Sequence, residues 1–134
     1  MRSWSVETGQ LLHTLEGYCD RVKAVCYSSD GMLAASASDD KNVKLWNMEA
    51  SRLTYTFDGH RFAVYCICFS PDGTRVATGS ADGSLILWDA RSGIVSQALH
   101  HGAQVYSVAF SPDSLVVASG SDDCLARVFL VSTG

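Results

Sequence analysis

At 134 residues the chain is long enough for one domain with its own core, and 47% apolar against 18% charged residues excludes a disordered segment. A net charge of −4, with ten scattered Lys and Arg and no basic run, excludes the clustered positive surface on which phosphate binding depends. No apolar run nears the ~20 residues that span a bilayer, and Met1-Arg2-Ser3-Trp4 lacks the apolar core of a signal peptide.

In chain order, Trp4 is the first landmark, and a short strand is expected over residues 10–15. Trp46 and Trp88 follow at intervals of 42 residues, and Phe129 lies 41 further on. Around them Ser38-Asp39-Asp40-Lys41-Asn42-Val43-Lys44-Leu45-Trp46, Ser80-Ala81-Asp82-Gly83-Ser84-Leu85-Ile86-Leu87-Trp88 and Ser121-Asp122-Asp123-Cys124-Leu125-Ala126-Arg127-Val128-Phe129 align without a gap. Upstream of each is a second shared block: Tyr27-Ser28-Ser29-Asp30-Gly31, Phe69-Ser70-Pro71-Asp72-Gly73 and Phe110-Ser111-Pro112-Asp113-Ser114. Coincident blocks at one period identify a repeat architecture.

The middle repeat predicts four strands, over residues 64–69, 75–78, 84–89 and 94–99. The turns fall at 70–73, 81–83 and 90–93, where Pro presets φ and Gly accepts its positive values. Turn signals every eight to twelve residues without a helical period indicate an antiparallel all-β architecture.

The period, the Gly59-His60 pair and the Trp88-Asp89 pair resemble the WD-repeat β-propeller family over essentially the whole chain. The resemblance implies about three four-stranded antiparallel blades in an incomplete ring. They form a single partial propeller domain over 1–134, with repeats at roughly 9–47, 51–89 and 93–130. Each blade's outermost strand comes from the neighbouring repeat.

The resemblance also places His60, Ser80, Asp82 and Trp88 in a buried hydrogen-bonded network. Repeat one keeps Ser38, Asp40 and Trp46 but has Tyr18 for the histidine; repeat three keeps His101, Ser121 and Asp123 but has Phe129 for the indole. Asp30 follows Ser29 instead of Pro, and Ser114 replaces the turn Gly, so the middle blade is expected to be the most stable. His60, Ser80 and Asp82 also admit a serine hydrolase as a remote alternative. That reading needs an exposed serine, an oxyanion hole and usually a G-x-S-x-G elbow, none of which the sequence offers.

The five cysteines, Cys19, Cys26, Cys66, Cys68 and Cys124, are odd in number and read as reduced thiols of the cytoplasm or nucleus. Cys66 and Cys68 fall on one face of a strand with no second pair to complete four ligands. They align with small residues of the other repeats, so packing is expected of them and neither a metal nor a cofactor is.

Propellers close with four to eight blades. The chain is therefore expected to be a piece of a longer propeller, commonly seven-bladed by family analogy. Alternatively, residues 10–15 zip onto residues 125–130 of a second copy to give a six-bladed dimer.

Such proteins bind partners on the rim. The corresponding positions here are Arg21, Asp39, Arg61, Phe62, Ala81, Gln104 and Asp122, with Lys23, Tyr65 and Tyr106 nearby; exposed arginines and aromatics are typical interface anchors. Trp88-Asp89-Ala90-Arg91 also looks like the W-D-x-R box of substrate receptors of cullin-RING ubiquitin ligases, with Arg91 as its contact. The leading expectation is a non-enzymatic scaffold or adaptor for proteins or peptides, and the alternative is a ubiquitin-ligase substrate-receptor module.

Overall fold

The computed structural model describes residues 1–132; the last two residues of the expected 1–134 domain lie outside it. Its elements are all strands. A first pair, β1 (Arg2–Trp4) and β2 (Leu11–Thr14), forms a two-stranded sheet. Blade 1 contains β3 (Val22–Tyr27), β4 (Leu33–Ser38), β5 (Val43–Asn47) and β6 (Arg52–Phe57). Blade 2 contains β7 (Val64–Phe69), β8 (Arg75–Ser80), β9 (Ser84–Asp89) and β10 (Val95–His100). Blade 3 contains β11 (Val105–Phe110), β12 (Val116–Ser121) and β13 (Ala126–Leu130). All pairings are antiparallel between neighbours in sequence.

Three strands differ in their bounds from the sequence expectation: 10–15 is Leu11–Thr14, 75–78 is Arg75–Ser80 and 94–99 is Val95–His100. The second strand of blade 2 runs on to Ser80, because Val64 pairs with Ser80 across an irregularity that leaves Tyr65 unmatched.

The blades stack face to face. One face of each blade is built of small residues, and the next blade presses a β-branched and aromatic ridge into it. Ala35, Ala37, Val43 and Leu45 of blade 1 meet Val64, Ile67, Phe69 and Val76 of blade 2. Ala77, Leu85 and Leu87 of blade 2 meet Val117, with Val108 and Phe110 of blade 3 packed around them. Removing side chains of this size from water stabilises by roughly 1.5–3 kcal/mol each. The fit is close: a Cβ on Gly79 would lie 2.6 Å from Val105 Cγ1 and from Cys66 Sγ.

Cys66 and Cys68 sit in this packing. Burial pushes the thiols of Cys26 and Cys66 up to about 12 and that of Cys68 up to about 11. Among the described residues, no group of three or more His, Cys, Asp or Glu is arranged to hold a metal ion.

The turn between the second and third strands requires a left-handed residue. Gly83 supplies it in blade 2 at φ +80°, whereas Lys41 and Cys124 take φ 75° and 65° in blades 1 and 3. Ser114 likewise holds φ 62° where Gly31 and Gly73 stand in the other repeats. A Cβ in this region costs on the order of 1 kcal/mol. Replacing the exposed Cys124 by Gly should therefore raise the chain's unfolding free energy by about 1 kcal/mol in a denaturant titration. An unchanged or lowered midpoint would show that the turn is not strained.

Candidate functional site

At the first strand of every blade the ladder slips by one residue. The unmatched residue is Lys23 in blade 1, Tyr65 in blade 2 and Tyr106 in blade 3. A bulge of this kind takes a side chain out of the strand's alternation and re-aims it. Because the slip recurs at one level, the three re-aimed side chains line up across the blades. The rings of Tyr65 and Tyr106 stack at 5.1 Å with an 8° tilt, and Lys23 Nζ lies 5.8 Å from the centroid of Tyr65. Asp39 fixes the cationic end, with Oδ2 3.0 Å from Arg21 Nε and 3.6 Å from Lys23 Nζ. At the other end Tyr106 donates to Gln104 Oε1 at 2.8 Å, and the Gln104 carbonyl accepts the Asp122 N–H.

The remaining rim positions lie around this ladder. Arg61 and Phe62 are exposed on the loop entering blade 2, with Lys41 Nζ 6.0 Å from the Phe62 ring. Ala81 is half-buried, its N–H bound to the Ala63 carbonyl. Arg91 is exposed in the turn between β9 and β10, at the opposite end of the strands from Arg61 and Phe62.

Beneath the rim, a chain of hydrogen bonds holds the loop that enters blade 2. Trp88 Nε1 donates to Thr78 Oγ1 at 2.8 Å, and Thr78 Oγ1 lies 2.7 Å from His60 Nε2. His60 Nδ1 lies 3.2 Å from Asp82 Oδ2 and 3.0 Å from Ser84 Oγ. Asp82 Oδ2 also accepts the Arg61 N–H at 2.7 Å, and its Oδ1 accepts the Ser84 N–H and hydroxyl.

Burial tends to raise the Asp82 carboxyl. The Ser84 hydroxyl, the N–H groups of Arg61 and Ser84 and the His60 ring outweigh it and hold the group down to about 2. Burial lowers the His60 ring below its ordinary 6.5, against the opposing pull of Asp82, so the imidazole is neutral. An ionised carboxylate needs a donor, so the ring proton belongs on Nδ1. Nε2 then accepts the Thr78 hydroxyl, which accepts the indole N–H.

Ser80 stands outside this chain of bonds. It donates to the carbonyls of Phe62 and Ala63 and accepts the Asp82 N–H, and no bond joins it to His60. The hydroxyl facing imidazole and indole is Thr78, two residues earlier on the same face of β8. Trp88 sits directly opposite Val76, so its N–H reaches the diagonal neighbour Thr78 but not Ser80 near the turn.

The same shift applies in the other blades. Ser36 accepts from Trp46 and bonds Tyr18, while Ser38 caps the turn at Asp40. Ser119 bonds His101, while Ser121 caps the turn at Asp123.

The outer chains are shorter. In blade 1 Tyr18 ends the chain, and Asp40 accepts the N–H groups of Cys19 and Asn42 instead. In blade 3 Phe129 packs edge-on to His101 without an indole donor, and Arg127 inserts its guanidinium against both His101 Nδ1 and Asp123. Arg127 and Lys44 occupy the column of Ile86, a substitution whose consequence the repeat alignment alone does not expose.

The family described as "WD domain, G-beta repeat" matches residues 9–47, 51–89 and 94–129. The chain is also similar to the periodic tryptophan protein 2 homolog of Schizosaccharomyces pombe (strain 972 / ATCC 24843), at 50% identity over 42 residues. That match covers 31% of this chain and 5% of the length of that curated relative.

The geometry separates Thr78 from Ser80 experimentally. Thr78→Val keeps the shape but leaves a buried imidazole nitrogen and an indole N–H unpaired, which should cost about 1–3 kcal/mol in a denaturant titration. A Thr78→Val protein as stable as wild type would remove the hydrogen-bonded chain as a source of stability.

Proposed function

The chain belongs to the WD40, G-beta repeat family, and from that premise we propose that it is a non-enzymatic scaffold that holds protein segments along the bulge-aligned ladder. WD40 repeats generally mediate protein–protein interactions, and the family is generally an interaction domain rather than an enzyme.

The observation that carries the reading is the stacked Tyr65–Tyr106 pair, flanked by Lys23 and Arg21 on one side and by Gln104 and Asp122 on the other. Stacked phenols offer a broad contact surface that loses little conformational entropy, and flat aromatic anchors are where interface energy concentrates. Arg21 and Lys23 are paired with Asp39, and Arg21 also lies 4.0 Å from Asp20, so the two rings and not a net charge carry the contact.

The catalytic alternative lacks its first requirement, since a nucleophilic serine must touch its base and Ser80 does not touch His60. The substrate-receptor reading keeps one supporting feature. Arg91 is exposed, and among the described residues its guanidinium makes no ion pair. Recovery of a cullin-RING adaptor by wild type but not by Arg91→Ala would establish that role, and equal recovery would end it.

For the main reading, peptides are selected on the wild-type chain from a displayed random library. They should bind the Tyr65→Ala, Tyr106→Ala double variant about tenfold or more weakly, the scale on which aromatic anchors act. Binding to Arg91→Ala should be unchanged. Selected peptides indifferent to the two tyrosines would place the binding surface elsewhere.

A further inference from the structure

Lys44 in β5, Ile86 in β9 and Arg127 in β13 share one column of the third strand and differ in length and charge. In blade 1 Lys44 is 7% exposed. Its Nζ donates to Thr56 Oγ1 at 3.2 Å and lies 5.3 Å from the centre of the Tyr18 ring. In blade 3 Arg127 lays its guanidinium against Asp123 and His101 Nδ1. Both outer blades thus carry a cation of their own at this level.

Blade 2 carries none. Ile86 ends short of where a lysine or arginine would reach, and Ala98 stands opposite it as Thr56 stands opposite Lys44. The two truncations coincide with a hollow of about 360 Å³. Asp82, Ser84, Ile86 and Ala98 line it, together with the exposed Arg61 and His100. Its walls all belong to blade 2 or to the loop entering that blade.

One of those walls is a carboxylate without a cation. Asp82 is the counterpart of Asp123, its side chain is 8% exposed, and it is ionised. Among the described residues no Lys or Arg side chain forms an ion pair with it, and the His60 ring beside it is neutral. The Ser84 hydroxyl gives Asp82 a hydrogen bond, as Arg127 gives Asp123, but no positive charge. A buried charge lacking its opposite is favoured by whatever cation reaches it.

The neighbours of the column select the kind of cation. The ammonium of blade 1 rests on the Thr56 hydroxyl and the Tyr18 ring, where blade 2 has Ala98 and His60. Asp82 and His60 repeat instead the Asp123 and His101 pair on which blade 3 places a guanidinium.

We propose that the hollow of blade 2 binds a guanidinium group brought by a ligand, in the place that Arg127 takes in blade 3. One of its N–H groups donates to the lone pair left on Ser84 Oγ, and its charge faces the Asp82 carboxylate. The methylenes that carry it lie on Ile86 and Ala98. Arg61 has the same sign, but its side chain stands in water, which screens the repulsion. None of Lys23, Tyr65 and Tyr106 lines the hollow, so the site is separate from the tyrosine ladder and independent of its function.

Proton–nitrogen NMR of the 134-residue chain tests this, with N-acetyl-arginine methylamide and methylguanidinium as separate probes. The amide signals of Ser84 and Arg61, whose N–H groups bond Asp82, should shift saturably. The neutral N-acetyl-citrulline methylamide should bind about tenfold or more weakly than the arginine probe. Ile86→Arg brings a guanidinium in from the strand, as blade 3 does, and Ala98→Phe covers the hollow from an exposed position. Each should weaken binding about tenfold or more. Tighter binding of the blocked arginine assigns the site to an arginine of a protein segment, and tighter binding of methylguanidinium to a small free guanidine. No saturable shift at Ser84 and Arg61 would overturn the proposal. So would citrulline binding equal to arginine, binding indifferent to Ala98→Phe, or shifts confined to the Tyr65 and Tyr106 rings.

Discussion

A neutral imidazole held between an ionised carboxylate and a hydroxyl fixes the rest of blade 2. His60 arrives on the loop from β6, Thr78 and Asp82 belong to β8 and the turn after it, and Trp88 closes the chain from β9. Every polar group in this set finds a partner, which is the condition for burying such groups at all. The Trp88 ring then stacks on Phe57 at 5.2 Å, so the hydrogen-bonded chain also orients the apolar contact between blades 1 and 2. Because Asp82 additionally holds the Arg61 N–H, the rim loop starts from a fixed point. Blades 1 and 3 keep parts of the device, with a phenol, a lysine and an arginine filling the places of imidazole and isoleucine.

That rigidity gives the surface its order. Three bulges at the same level of three blades would scatter their side chains if the blades rocked against one another. With the blades locked through Gly79 and Val105 and their counterparts, Lys23, Tyr65 and Tyr106 form one ladder.

The strands, the turns and the blade repeat were legible because tryptophan spacing and turn residues are local signals. The hydroxyl of the buried chain was not. Thr78 and Ser80 are both hydroxyls, lie two residues apart and share a strand face, and only the diagonal reach of Trp88 from opposite Val76 selects the first. The bulges were hidden as well, since Val64-Tyr65-Cys66 reads as ordinary alternation and the slip exists only relative to β8.

Blade 2 depends on the state of one ring. With its charged form disfavoured in the fold, His60 stabilises the protein while neutral. That contribution is present above the ordinary 6.5 and is lost as pH falls through the lower value of the folded state. Nitrogen NMR of the His60 imidazole during an acid titration measures this directly. The predicted result is a proton on Nδ1, no titration near 6.5, and charging only at lower pH as blade 2 loosens. A His60 ring that takes up a proton at or above 6.5 with the fold intact would contradict it.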